Sequence, residues 1–64
     1  MKDLAEVFRA RIDKLGLKQK AVAIMAEIDP VILSAMLNGR RKIYATDFFK
    51  LCKVLGLTMD EFTE

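Results

Sequence analysis

The segment that decides the fold is residues 19–41, which read QKAVAIMAEIDPVILSAMLNGRR. A helix of about two turns is predicted from Gln19 to Glu27, because these residues have high helix propensity. Asp29 and Pro30 then form a helix-start signal, since the aspartate oxygen caps free amides and proline loses nothing at the first helical position. The next helix is predicted from Pro30 to Leu37. Asn38 and Gly39 stop it because both residues tolerate a left-handed backbone.

The connection between these two predicted helices, Glu27 to Asp29, is very short. Such a connection is too short for an antiparallel helix pair and suits a sharp crossing. The pattern favours a helix-turn-helix, in which the first helix lies across a phosphate backbone and the second enters a groove about 12 Å wide. Two helices that merely pack against each other would have the same short connection, so geometry alone leaves that alternative open.

One helix is predicted before this segment and one directly after it. The first helix ends at Gly16, and apolar residues at helical spacing form a stripe along it: Leu4, Phe8, Ile12 and Leu15. The fourth helix is predicted from Asp47 to Leu55 and stops at Gly56. Its apolar stripe consists of Phe48, Leu51, Cys52 and Leu55.

A capping-box pattern near the end of the chain predicts a short fifth helix. Thr58 is followed three residues later by Glu61, and the helix would bury Met59 or Phe62. The sequence therefore predicts an all-α fold of five helices. A chain of 64 residues is close to the lower limit for one hydrophobic core, so we expect residues 1–64 to form a single domain. The start at Met1, ahead of a complete first helix, fits a whole small protein, and a domain cut from a longer chain stays open as the alternative.

Composition excludes several classes of protein. A hydrophobic fraction of 53% argues against disorder, and 31% charged residues indicate a soluble surface. No signal peptide or membrane span is recognisable, so we expect a cytoplasmic protein. Cys52 is the only cysteine and histidine is absent, which leaves no disulfide, no usual zinc site and no histidine for acid-base catalysis. We expect no cofactor, metal, small-molecule substrate or enzymatic activity, and Cys52 to be a small core residue.

Positive charge is concentrated in the middle of the chain. The whole chain carries +2, whereas residues 14–53 contain eight basic and three acidic residues, a local charge of +5. The densest cluster is the run Arg40, Arg41 and Lys42, directly after the predicted second helix of the helix-turn-helix. A solvated loop is the ordinary interpretation of such a run, but its position here also suits contact with phosphates.

Several short motifs occur in a recognisable order: Leu17-Lys18-Gln19, Val22-Ala23, Glu27-Ile28, Leu33 and Asn38-Gly39-Arg40-Arg41. Residues 53–57, KVLGL, and 58–62, TMDEF, follow them. Together these motifs resemble the lambda-repressor-like, or Cro/C1-type, helix-turn-helix family over nearly the whole chain. The resemblance implies a transcriptional regulator, such as a small repressor, that binds double-stranded DNA and acts as a homodimer.

The resemblance also implies which residues contact DNA. Gln19, next to Lys18, would donate to a phosphate and steady the side chains near the start of the helix predicted from Pro30 to Leu37 (helix 3), and a plain helix-start residue is its alternative role. The positions that face base edges are Pro30, Val31, Ser34 and Ala35. The positions that contact sugar and phosphate are Asn38, the amide of Gly39, Arg40, Arg41, Lys42 and Tyr44. Tyr44 is alternatively an amphipathic ring on the surface.

Two departures from the family pattern concern the fold. The family usually has glycine where this chain has Glu27, so a left-handed backbone there would cost about 1 kcal/mol. The family also often pairs an arginine of helix 1 with a glutamate near the end of helix 3, and these positions hold Ile12 and Leu37 here. Two apolar side chains in place of two charges predict a buried contact without a desolvation cost.

Two further departures concern binding. The predicted recognition helix lacks the Gln, Asn or Arg that form bidentate bonds to bases, so Val31 and Ala35 would contact thymine methyl groups while DNA shape supplies much of the discrimination. Ile24, Met25 and either Ile32 or Met36 cannot all face one small core. Some of them should be exposed, and exposed apolar residues of this kind favour a homodimer, with the region of helix 5 as the first place to look for its interface.

A protein-interaction or antitoxin-type module is the alternative function. It would keep the helix-turn-helix fold but use an apolar surface of helices 2 and 3 to bind another protein. The basic run Arg40 to Lys42 argues against this alternative, because an interaction domain has no need of it.

Overall fold

The computed structural model describes residues 2–63, and they fold into an all-α domain. Four α-helices are followed by one 3-10 helix: α1 Leu4–Lys14, α2 Gln19–Ala26, α3 Pro30–Leu37, α4 Ala45–Leu55 and the 3-10 helix Met59–Phe62. The predicted architecture is therefore confirmed, with the difference that the fifth helix is a single 3-10 turn. Helix α4 begins two residues earlier than Asp47, because the N–H of Phe48 donates to the carbonyl of Tyr44 (2.9 Å).

The core is built around two aromatic rings from opposite ends of the chain. Phe8 on α1 and Phe62 on the 3-10 helix are both fully buried, and their centroids lie 5.4 Å apart in an edge-to-face arrangement. Phe48 of α4 completes the cluster at 4.9 Å from Phe62. Of the two residues predicted to be buried by the fifth helix, Phe62 is the correct one, and Met59 is exposed.

Two predictions about apolar residues of the other helices need correction. Leu15 is 47% exposed, because α1 ends at Lys14 and the chain turns away before the stripe reaches this residue. Leu17 packs against the core instead. Cys52 is only partly buried at the margin of the core.

All four α-helices end in the same type of cap. A residue with positive φ follows each helix: Gly16, Glu27, Gly39 and Gly56. The N–H of the next residue then donates back to a carbonyl five residues earlier, as in the Schellman motif, and these donors are Leu17, Ile28, Arg40 and Leu57. Three of the donors are apolar and pack into the core, whereas Arg40 is exposed. The cap of α3 therefore presents a cation to solvent where the other caps have an apolar anchor.

The predictions about the special positions of the turn and of helix 3 are confirmed in part. Glu27 has φ 56°, so the position usually filled by glycine is left-handed in this chain as well. Ile12 and Leu37 are both buried in the core cluster, as expected for an apolar replacement of an ion pair. Asn38, however, has φ −99°, and only Gly39 adopts the left-handed conformation that was predicted for either residue.

Two arginines of α1 fasten the C-terminal ends of other helices. The guanidinium of Arg9 donates to the carbonyl of Leu37, the last residue of α3. Arg11 donates through Nε to the carbonyl of Leu55 (3.0 Å) and through Nη2 to that of Gly56 (3.3 Å), at the end of α4. Cations near the C-terminus of a helix are favoured by unpaired carbonyls and by the helix dipole, so α1 stabilises both ends. The sequence analysis did not predict either contact.

Candidate nucleic-acid interface

The turn between α2 and α3 is fixed by one strained residue and one buried residue. Glu27 is left-handed, and its N–H donates to the carbonyl of Ile24 at 3.1 Å. Ile28 is buried, and its N–H donates to the carbonyl of Ala23 at 2.9 Å. Because the N–H groups of Glu27 and Ile28 both donate within the protein, they hold the turn against α2 and are not free to bind a ligand.

The first turn of α3 is capped by its own sequence. The Asp29 carboxylate accepts a hydrogen bond from the N–H of Val31 at 2.8 Å, and Pro30 occupies the first helical position. The carboxylate is thus committed to the cap, and its negative charge makes this helix end unsuitable for a phosphate. Beyond the cap, the side chain of Val31 is 78% exposed, the largest exposure among the large apolar residues that the structure describes.

Helix α3 has a buried face and an outward face. Leu33, Met36 and Leu37 face the core. The residues at positions i, i+3, i+4 and i+7 on the other side are Val31, Ser34, Ala35 and Asn38, which are exposed or half-buried. Pro30 is exposed as well. The four residues that the resemblance expects to face base edges are therefore all on accessible surface: Pro30, Val31, Ser34 and Ala35.

The C-terminal end of α3 uses several of its polar groups internally. The Nδ2 of Asn38 donates to the carbonyl of Ser34 (2.9 Å) and to its hydroxyl oxygen (3.3 Å). The N–H of Gly39 donates to the carbonyl of Met36 at 3.2 Å, within the helix cap. The amide of Gly39 was expected to meet a phosphate, but it is occupied in this conformation. Gly39 contributes instead the left-handed backbone that sends the chain into the basic run.

The cationic residues expected at the interface are all exposed. Arg40, Arg41 and Lys42 lie on the surface immediately after α3, and Tyr44, the N-cap residue of α4, is 57% exposed. Among residues 2–63, the arginine side chains that form hydrogen bonds are those of α1, so the guanidinium groups after α3 are available to a ligand. Lys18 and Gln19 are exposed at the start of α2.

The part of the chain that the structure describes offers little else that suggests another kind of site. Residues 2–63 contain no cluster of three metal-ligating side chains. Burial, followed by the negative charge of Glu61, raises the pKa of the Cys52 thiol, so this thiol is a poor nucleophile. No helix within the same residues has the length and apolar character needed to span a membrane.

Comparison with models of known protein families matches residues 7–62 to a family described as helix-turn-helix. The chain belongs to the Cro/C1-type helix-turn-helix family. This family consists of DNA-binding regulators, and the matched region contains α2, α3 and the basic run that follows them. No curated protein and no solved structure matches the chain significantly.

In this helix-turn-helix protein, several large apolar side chains are exposed, as the excess of hydrophobic residues predicted. Ile24 and Met25 of α2 lie at the surface, whereas Met36 is buried and Ile32 half-buried. Phe49 of α4 is also 66% exposed, which the sequence analysis missed. The signal that could have found it is helical spacing, because Phe49 lies outside the apolar stripe formed by Phe48, Leu51, Cys52 and Leu55.

Proposed function

We propose that this protein is a sequence-preferring transcriptional regulator, most simply a small repressor, that inserts α3 into the major groove of double-stranded DNA. The observation that carries the proposal is the outward face of α3, Val31 to Asn38, which is followed directly by the exposed cationic side chains of residues 40–42. A helix of eight residues is about 12 Å long, so it fits within the major groove. In this proposal, residues 1–64 form one DNA-binding domain that acts in the cytoplasm and has neither catalytic activity nor a cofactor.

Phosphate contacts supply most of the binding free energy in this proposal. Arg40, Arg41 and Lys42 would bind the backbone on one side of the groove, with Tyr44 beside them. Lys18 and Gln19, at the start of α2, would hold the backbone on the other side. Asn38 would donate to a phosphate through Nδ2, in exchange for one of the hydrogen bonds that this nitrogen makes to Ser34. The amide of Gly39 is occupied, so we assign Gly39 the role of directing the basic run.

A homodimer is part of the proposal, since regulators of this type read two-fold operators. Phe49 on α4 and Met59 on the 3-10 helix are both exposed, and the ring of Phe49 lies 5.8 Å from that of Phe48, which packs against Phe62. They are the side chains that a second copy would cover near the predicted location. Replacement of Phe49 by glutamate should lower the dimer fraction in sedimentation analysis, whereas an unchanged mass would exclude this face.

A protein-interaction module is the second candidate, and one observation favours it. Ile24, Met25 and Val31 are all exposed on α2 and α3, as an apolar docking surface would require. The basic run has no part in that function. The two candidates therefore differ in how binding depends on salt and on the cations after α3.

The test is a titration of the protein with random-sequence duplexes and with phage-operator-like duplexes at two salt concentrations. We expect binding to both at low salt, a steep loss of affinity at higher salt and a modest preference among sequences. Failure to bind any duplex at low salt would contradict the proposal and favour the interaction module.

A further inference from the structure

The first turn of α3 has few polar groups left with which to recognise a base. Pro30 has no N–H, and the N–H of Val31 is used by the Asp29 carboxylate at 2.8 Å. The N–H of Leu33 donates to the carbonyl of Asp29 at 2.9 Å. Further along the same face, the Ser34 hydroxyl accepts from Asn38 but keeps its own O–H to donate. The first turn itself, at Pro30 and Val31, therefore offers a base edge no polar side chain, and Ser34 is the nearest side-chain donor one turn later.

The same turn presents an unusually accessible apolar side chain. Val31 is 78% exposed, and Ala35 follows one turn later on the same face. The Asp29 cap and the buried Ile28 hold the backbone at Val31, and a valine in a helix has one strongly preferred χ1 rotamer, which restricts where its methyl groups lie. Thymine is the one standard base that offers an apolar group, its 5-methyl, in the major groove.

We infer that α3 recognises thymine through this 5-methyl group, with Val31 making the contact and Ala35 extending it one turn further. The inference rests on the proposed function, because it requires α3 to lie in the major groove. It implies that 5-methylcytosine is accepted where thymine stands, since the methyl occupies the same place in the groove. It also implies that uracil is discriminated against, although uracil has the same hydrogen-bonding groups as thymine.

The experiment compares duplexes that differ by single methyl groups. Duplexes selected by the protein from a randomised pool would be resynthesised with uracil at one thymine position at a time. We expect Kd to rise about fourfold at each contacted thymine, the value for exposing one buried methyl group. Cytosine at that position also lacks the methyl group and should weaken binding. Restoring the methyl group with 5-methylcytosine should lower Kd about fourfold relative to cytosine.

Two variants assign the contact to its residue. Val31→Ala should bring the ratio of the Kd for the uracil duplex to the Kd for the thymine duplex towards one. The variant should fold normally because the side chain of Val31 is exposed. Ile24→Ala is the matched control, since Ile24 is 66% exposed on α2 and belongs to none of the proposed contacts. This control should keep the full ratio. A ratio that Val31→Ala leaves unchanged would overturn the role of Val31.

The outcomes separate this inference from the function on which it rests. Equal affinity for thymine and uracil at every position, or a selected pool without a common sequence, would overturn the inference while binding to DNA remains. Absence of binding to any duplex at low salt would contradict the proposed function itself.

Discussion

The guanidinium of Arg9 donates a hydrogen bond to the backbone carbonyl of Leu37, so the middle of α1 holds the last residue of α3. Arg40 follows three residues after Leu37, at the cap from which the basic run leaves the helix. The contact therefore links the stability of the fold to the position of the proposed phosphate-binding residues. It also occupies a region where the family often has an ion pair between helix 1 and helix 3.

Replacing Arg9 should destabilise the protein. Arg9→Met keeps most of the aliphatic stem but removes the donor to Leu37, and we expect a loss of about 1 kcal/mol in the free energy of unfolding. Urea denaturation measures this loss. Lys14→Met, at an exposed cation of the same helix, is the control and should cost less. Equal stability of wild type and Arg9→Met would show that the contact contributes nothing.

Glycine at position 27 should stabilise the chain. Glu27 has φ 56°, and this left-handed backbone costs a residue with a side chain about 1–2 kcal/mol, a cost that glycine avoids. Part of this gain is lost because glycine gives the unfolded chain more conformational entropy. We expect Glu27→Gly to raise the free energy of unfolding by about 0.5–1 kcal/mol. Glu27→Ala removes the same charge but keeps the strain, so it should show little of this gain. A similar stabilisation by both substitutions would attribute the effect to charge.

The fold was largely predictable because helix starts and stops are local. Asp29 and Pro30 at the start of α3 and the glycines after α1, α3 and α4 carry these signals in one or two residues. The contacts of Arg9 and Arg11 were not predictable, since they join residues 28 or more positions apart and arginine on a helix is ordinarily solvated. The exposure of Leu15 was not predictable, because helical spacing does not reveal that α1 ends one residue before it.

The 3-10 helix should become less stable in acid. The side-chain hydroxyl and then the backbone N–H of Thr58 donate to the Glu61 carboxylate (2.7 and 2.8 Å), and both bonds lower the pKa of Glu61 from 4.5. A pKa lowered by folding contributes stability that is present above the unfolded value and lost as pH falls through the folded value. The stability difference between wild type and Glu61→Gln should therefore shrink below about pH 4.5. Glu6→Gln is the control, and a constant difference for Glu61→Gln would contradict this account of the cap.

Removing one cation of the basic run should change how DNA binding depends on salt. Arg41→Ala is expected to reduce the slope of log K against log salt concentration by about one unit, because each neutralised phosphate releases its counterion. Fluorescence anisotropy with a fixed duplex at several salt concentrations gives the slope. Lys14→Ala, in the last turn of α1, removes an exposed cation outside the proposed interface and should leave the slope unchanged. An unchanged slope for Arg41→Ala would remove Arg41 from the phosphate contacts.

The sequence predicts which positions of the candidate interface are exposed, but not which of their hydrogen-bonding atoms are free to bind DNA. Exposure of Val31 and of the cations after α3 follows from helical periodicity and from charge. The occupied amide of Gly39 and the bond from Asn38 to Ser34 depend on the conformation of the helix end, which the sequence does not specify to the level of single donors.

The most direct test of the central claim is to map amide chemical-shift changes by NMR while a duplex is added to isotopically labelled protein. If α3 and the cations after it form the DNA-binding surface, the largest changes will fall on the amides of residues 18–19, 31–35 and 38–44, since Pro30 has no amide N–H. Changes confined to α1 and the 3-10 helix, or none at low salt, would contradict the account.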